Sequence, residues 1–346
     1  MSQEKRFSNK ITRVSFWLAI CVVYIHANNT TTYQFDFNNS FQKLVFIIEN
    51  WFQGSQQCVV PVFMMISGFL FFRNYNSEKY LIKLKTRTKS LLVPYLIWTN
   101  VPWICLVIVK QFPLASTIST DASFTIQSWI DFTIFTHGTV LWYVRVLIVY
   151  ALLTPIIYVF LKRKKTSICI IGLLFLQNIV LLTLHINIVE SIYNCVPYLI
   201  GAWLSIWKPG LIINRANKKL KLTGVIVFVI LFCLAIDYKH VLYYPTTQYI
   251  YKTLLPLPLW FALDFFPFEK SVCKVERLSF PIYCTHAIIL ETFEKLLYVL
   301  GGNNIYIASF SYLFMPICVV TVLICMFFLF EKYFPCTYKF VFGNRG

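Results

Sequence analysis

The sequence predicts an all-α fold: a polytopic membrane helix bundle of about ten transmembrane helices, with both termini cytoplasmic. Three observations predict it. The 346 residues are 58% hydrophobic and only 13% charged, with a mean hydropathy of +0.67, whereas soluble domains are about a quarter charged. The apolar residues gather into stretches close to the roughly 20 residues that a bilayer core demands of a helix. Of the 31 Lys and Arg residues, 25 fall in alternate loops once the N-terminus is placed inside, which is the charge asymmetry of cytoplasmic loops.

Taken in order, the basic start MSQEKRFSNKITR leads into a first apolar segment over 11–29. No small-residue cleavage site follows it, so it reads as an uncleaved span rather than a signal peptide. FQKLVFIIENWF (41–52) reads as an amphipathic lead-in to the second segment, 56–73. A basic stretch precedes the third, 90–111, and TIQSWIDFTIF (125–135) has the pattern of an interfacial helix. The fourth and fifth segments, 139–161 and 166–184, flank the four consecutive cations at 162–165. The remaining five are 191–207, 222–238, 249–266, 278–299 and 307–331. Pro61, Pro94, Pro155, Pro197 and Pro281 lie inside segments, where neighbouring helices or a cavity re-satisfy the carbonyls that proline frees. No repeat, Gly-rich phosphate loop or linker divides the chain, so 1–346 reads as a single integral-membrane domain in the cell (inner) membrane.

Composition also excludes. The net charge of +17 comes from short clusters between apolar runs, not from one basic face, so no nucleic acid is expected as a partner. The eleven cysteines contain no CxxC pair and the five histidines no HxxxH spacing, so no metal is expected.

Ionisable groups inside spans are costly and default to functional hypotheses. They are His26, Arg145, His286, Glu291, Glu294 and Lys295, with Asp264 near an inner end. Glu291 and Lys295 are four apart on one helix and read as a mutual ion pair. Arg145 would snorkel or anchor an anionic group. On residues alone, His286 is a buried hydrogen-bonded imidazole and His26, closing AICVVYIH, a wetted interfacial side chain. The basic stretch RNYNSEKYLIKLKTRTKSLLVPY (73–95) would set topology and touch lipid head groups. Its Arg73, Lys85, Arg87 and Lys89 would equally suit a phosphate-rich ligand entering from the cytoplasm, a nucleotide or coenzyme A.

The segments, read in order, resemble the membrane-bound acyltransferase 3 family. The carrying residues are VVYIH in the first segment, VPVFMMISGFLFF in the second, RTKSLLVPYLIW entering the third, LWYVRVLIVYALLTPII in the fourth, VPYLIGAWL in the sixth and RLSFPIYCTHAIIL in the ninth. The resemblance implies a ten-helix bundle that transfers an acyl group, usually acetyl from cytoplasmic acetyl-CoA, to a hydroxyl of an envelope polysaccharide or lipid-linked glycan. It implies His26 as catalytic base; Arg13, Ser15, Arg145, His286 and Glu291 are the possible supporting residues, and Arg73, Lys85, Arg87 and Lys89 the candidate donor-binding cations. The family's first-span pattern puts an Arg eleven residues before the histidine. Here that position is Ser15, and the nearest upstream Arg, Arg13, is rotated by about 200° from that stripe. The alternative of a different class is a glycan exporter or flippase of the same fold, although no inverted repeat is visible.

Overall fold

A computed structural model describes residues 2–27, 33–56, 58–111, 122–135, 140–236 and 245–343. The extreme ends of segments 11–29, 139–161 and 222–238 lie outside these residues. Among the described residues the chain is helical, with no strand. Every predicted apolar segment contains a helix: α1 Gln3–His26, α3 Val59–Phe72, α5 Val93–Val109, the pair α7 Trp142–Leu152 and α8 Thr154–Leu161, α9 Lys164–Thr183, α11 Cys195–Trp207, α13 Lys218–Ile236, the pair α14 Pro245–Leu254 and α15 Pro256–Ala262, α16 Ser279–Gly301 and α17 Ile305–Tyr333. The two amphipathic stretches become α2 Ser40–Gln56 and α6 Ile126–Thr133. Short helices α4 Tyr80–Arg87, α10 Glu190–Tyr193, α12 Pro209–Ile213 and α18 Pro335–Val341 complete the set.

By length and composition, four stretches can cross a membrane unaided: Ser40–Phe72, Ser77–Val109, Lys164–Thr183 and Ile305–Tyr333. The α7–α8 pair makes a fifth if its 67° bend is one broken span. The bend sits at Pro155, which lacks an N–H and crowds the preceding turn. The first of the four joins α2 to α3, so the stretch read as an amphipathic lead-in continues an apolar rod. The surface is inverted relative to a soluble protein. Leu173, Leu176 and Val180 of α9 are exposed, while its Asn178 is fully buried and donates to Tyr249 Oη at 2.8 Å and to the Ile192 carbonyl at 3.1 Å. Apolar outside and polar inside is the arrangement a lipid solvent selects.

Two packing features place the site. Gly68 of α3 and Gly201 of α11 let two backbones touch. A Cβ on Gly68 would stand 2.1 Å from the Tyr198 carbonyl, and one on Gly201 only 1.9 Å from that of Met65. Small residues permit this approach where lipid supplies no hydrophobic drive between helices. At the end of the bundle where α1 begins, Asp264 is 1% exposed and receives Lys10 Nζ at 2.8 Å, the Arg6 guanidinium and the Ala216 N–H at 2.9 Å. Lys10 Nζ also donates to the Trp260 carbonyl at 2.6 Å and lies 3.9 Å from the centre of that indole ring. Arg6 and Lys10, read from sequence as loop cations, are thus buried, and Asp264 is their counter-charge. This clamp pins the first half of α1 against α15.

Candidate active site

Helix α1 begins on a Ser2 cap, whose side chain accepts the Lys5 N–H, and runs unbroken to His26. Its apolar stripe, including Val14, Leu18, Val22 and Val23, is buried, and that face packs on α16 and α17. The packing brings together two histidines 260 positions apart. The rings of His26 and His286 have centroids 5.3 Å apart and are tilted by 49°. His26 is exposed at the helix end, whereas His286 is completely buried.

His286 is held in one orientation. Its Nδ1 lies 3.1 Å from the Ile282 carbonyl and 2.9 Å from that of Tyr283. Carbonyls only accept, so Nδ1 carries the ring proton and Nε2 is left as a lone pair. That buried Nε2 has no hydrogen-bond partner. The histidine pair therefore offers one exposed imidazole and, beside it, one buried, oriented nitrogen with a lone pair.

Below the pair lies a cavity of about 300 Å³. Its polar lining comes from Ser15, Ser67, Arg87, Tyr143, Tyr198 and Tyr283. Tyr283 is one turn from His286, their rings 6.1 Å apart, and its hydroxyl donates to the Val140 carbonyl at 2.6 Å. Ser67 Oγ and Tyr143 Oη share a 2.8 Å hydrogen bond. A second, more open cavity of about 700 Å³ is lined by Lys5, Asn9, Thr12, Val272 and Arg277. Ile11, Ser15 and Ser279 line both. The two cavities adjoin at these residues, and the inner one ends at Tyr283, one turn from His286.

Arg87 is the only charged residue lining the inner cavity among the described residues. It closes α4, just before a π-helical turn over Thr88–Leu92, in which the Val93 N–H reaches back to the Thr88 carbonyl. The wide turn accommodates Pro94, which has no N–H to give, and such turns recur at functional sites. The Arg87 guanidinium lies 5.5 Å from the Phe71 ring centre and, among the described residues, has no hydrogen-bond or ion-pair partner.

The other sequence candidates fall elsewhere. Lys85 and Lys89 are exposed and line neither cavity. Arg73 pairs with Glu4 and covers the Phe7 ring. Lys83 donates to the carbonyls of Phe71 and Arg73, closing the end of α3. Arg13 is fully engaged, with Nε 3.0 Å from Glu276 and further bonds to the carbonyls of Pro267, Lys270 and Ser271. Ser15, eleven residues before His26, does face the cavity. Arg145 binds Glu190 and the Ile134 carbonyl, which staples α7 to its neighbours and leaves it outside both cavities. Glu291 and Lys295 are both exposed and form no ion pair, correcting the expectation that they bridge. Ser67, Tyr143 and Tyr283 are hydroxyls in apolar runs and carry no charge signal in the sequence, although each stands inside one of the quoted motifs.

No group of three or more His, Cys, Asp or Glu side chains able to hold a metal occurs among the described residues. A family model described as an acyltransferase domain, that of the acyltransferase 3 family, matches residues 16–330. No curated protein and no solved structure matches the chain.

Proposed function

Because the chain belongs to the acyltransferase 3 family, we propose that it moves an acetyl group from cytoplasmic acetyl-CoA to a hydroxyl of an envelope polysaccharide or lipid-linked glycan. The observation that supports this reading is the pair of adjoining cavities running from the α1 start to Tyr283, one turn from His286, with a guanidinium that has no partner among the described residues on the inner wall. A cavity of this size suits a slender arm entering end-on. Arg87 meets a phosphate bidentately, and the Tyr- and Phe-lined sleeve beyond it accepts the apolar stretch that carries the thioester.

In this reading the acceptor hydroxyl attacks the thioester carbonyl while His26 takes its proton. The C–O bond forms, the C–S bond breaks, and the proton passes to the departing thiolate. His286, neutral and oriented through Nδ1, holds a lone pair toward this chemistry, where it can steady the charged form of His26. The guanidinium that the family pattern places at position 15 is here a serine, and Arg87 supplies the cation to the same cavity from α4. A sugar hydroxyl is a weak nucleophile while protonated, so a base in reach is worth about 10²–10⁴-fold.

The bundle is read as ten spans in the cell membrane, both termini cytoplasmic, with the donor mouth inside and His26 at the outer face. The alternation of basic loops supports this. Single cysteines placed at 162–165 are expected to be shielded from impermeant reagents and those at 185–190 to react. Labelling of 162–165 from outside would invert the orientation.

Two further measurements test the reaction. Envelope glycans compared by mass with and without the gene are expected to differ by acetyl groups, and identical glycans would refute the acceptor. Arg87→Gln is expected to weaken acetyl-CoA binding ten- to hundredfold, as one charged hydrogen-bond set of about 1.5–3 kcal/mol is lost. Lys85→Gln and Lys89→Gln are expected to leave it within twofold. Equal effects at all three positions would return the cluster to a topological role.

A further inference from the structure

Beyond the histidine pair, toward the same end of the bundle, lies a second polar cluster that the transfer chemistry leaves unused. Glu294 follows His286 by eight residues on α16, about 12 Å further along the axis. It is 8% exposed, and its Oε1 has no hydrogen-bond partner. Tyr33, before α2, and Ser311 and Tyr312, in the second turn of α17, are 3%, 1% and 3% exposed. Among the described residues, each of their hydroxyls is also without a partner. Native interiors hold few such atoms, and apolar side chains would fill the same space at less cost.

Ring contact and helix packing bring these groups to one end of the bundle: the Tyr33 ring meets that of Tyr298, one turn along α16 from Glu294, at 5.4 Å, and α16 packs along α17, which carries Ser311 and Tyr312. Glu294 is within electrostatic reach of Tyr33, and both Glu294 and Tyr312 are within reach of Glu49. Glu49 is 1% exposed on α2, a helix that turns Leu44, Ile47, Ile48 and Phe52 outward and its carboxylate inward. The cluster also reaches the last turn of α1, which His26 closes. The Tyr312 ring packs edge-on against Tyr24 at 6.2 Å, and the Tyr24 hydroxyl donates to the Leu313 carbonyl. Tyr24 precedes His26 by two residues.

From this placement we propose that Tyr33, Glu294, Ser311 and Tyr312 form the acceptor subsite, which binds an uncharged saccharide unit so that a hydroxyl on it or its neighbour reaches His26. The chemistry is that of sugar recognition. A carboxylate accepts from hydroxyls, while Ser and Tyr hydroxyls donate and accept in turn. Tyr33, Glu49, Glu294, Ser311 and Tyr312 contribute no cation, so an anionic sugar or a phosphate finds no counter-charge among them. The proposal rests on the acyl-transfer reading above.

The test uses solubilised full-length protein, radiolabelled acetyl-CoA and envelope polysaccharide of the producing cells stripped of O-acyl groups by alkali. Acetyl-CoA binding, acetyl-CoA hydrolysis without polysaccharide, and labelling of polysaccharide are read separately. Glu294→Gln is expected to raise the polysaccharide concentration for half-maximal labelling more than tenfold, with acetyl-CoA binding and hydrolysis within twofold. Ser311→Ala and Tyr312→Phe, each deleting one hydroxyl, are expected to raise it three- to tenfold. Unchanged polysaccharide dependence in all three variants overturns the subsite, and so does a parallel loss of acetyl-CoA binding, which would make the cluster a support of the fold. Wild-type protein that hydrolyses acetyl-CoA yet labels no polysaccharide refutes the saccharide acceptor and this subsite with it. Wild-type protein that does neither refutes the acyl-transfer reading itself.

Discussion

Acetyl transfer by a His26→Gln variant is expected to fall by about 10²–10⁴-fold while acetyl-CoA remains bound. The size is what general-base assistance contributes in other enzymes. Glutamine keeps the length and hydrogen bonding of the imidazole but cannot take a proton at neutral pH. The side chain is exposed at the end of α1, so its replacement removes little packing and the protein is expected to insert and fold. His286→Gln makes the companion measurement. Its buried Nδ1 holds two carbonyls, so this variant is expected to lose both transfer and some stability. Transfer near the wild-type level in His26→Gln, measured as labelled acceptor per bound donor, would remove the base from α1 and make His286 the candidate.

The second large effect is structural. Asp264→Asn is expected to cost about 3–5 kcal/mol, because it leaves Lys10 and Arg6 buried without a counter-charge, and breaking one side of a buried ion pair carries that penalty. The two cations are 0% and 4% exposed, so water cannot take over. The measurement is the unfolding midpoint in detergent, with Glu276→Gln as comparison. Glu276 and Arg13 are less buried, with side chains 18% and 15% exposed, and their pair is expected to be worth about 1 kcal/mol or less. Equal midpoints for Asp264→Asn and wild type would show that the three charges do not hold α1 in place.

Much of the site was legible one helix at a time. VVYIH and FPIYCTHAIIL marked His26 and His286, and RTKSLLVPY contained Arg87. Serine at position 15 was already noted as a departure, since eleven residues are about three turns and keep one face. The cations around Arg87 were not separable. Arg73, Lys85, Arg87 and Lys89 have the same charge and similar spacing, yet only Arg87 enters the cavity, because the π-helical turn ahead of Pro94 sets where α4 ends. Arg13 and Arg145 each find a carboxylate far along the chain, Glu276 and Glu190, and nothing in the local sequence names those partners.

By itself the sequence determined the helices, the apolar exterior, the family and the identity of both histidines. Those follow from local composition, helical period and motif order, which each segment carries alone. Only the tertiary structure decided that the histidines meet, that Arg87 lines the inner cavity, and that Asp264 is the buried counter-charge of Arg6 and Lys10. The reason is physical. A helical period states which residues share a face but not which faces meet. Among helices in lipid the hydrophobic effect does not discriminate between faces, so backbone contacts such as Gly68 on Tyr198 and kinks such as that at Pro155 choose the partners.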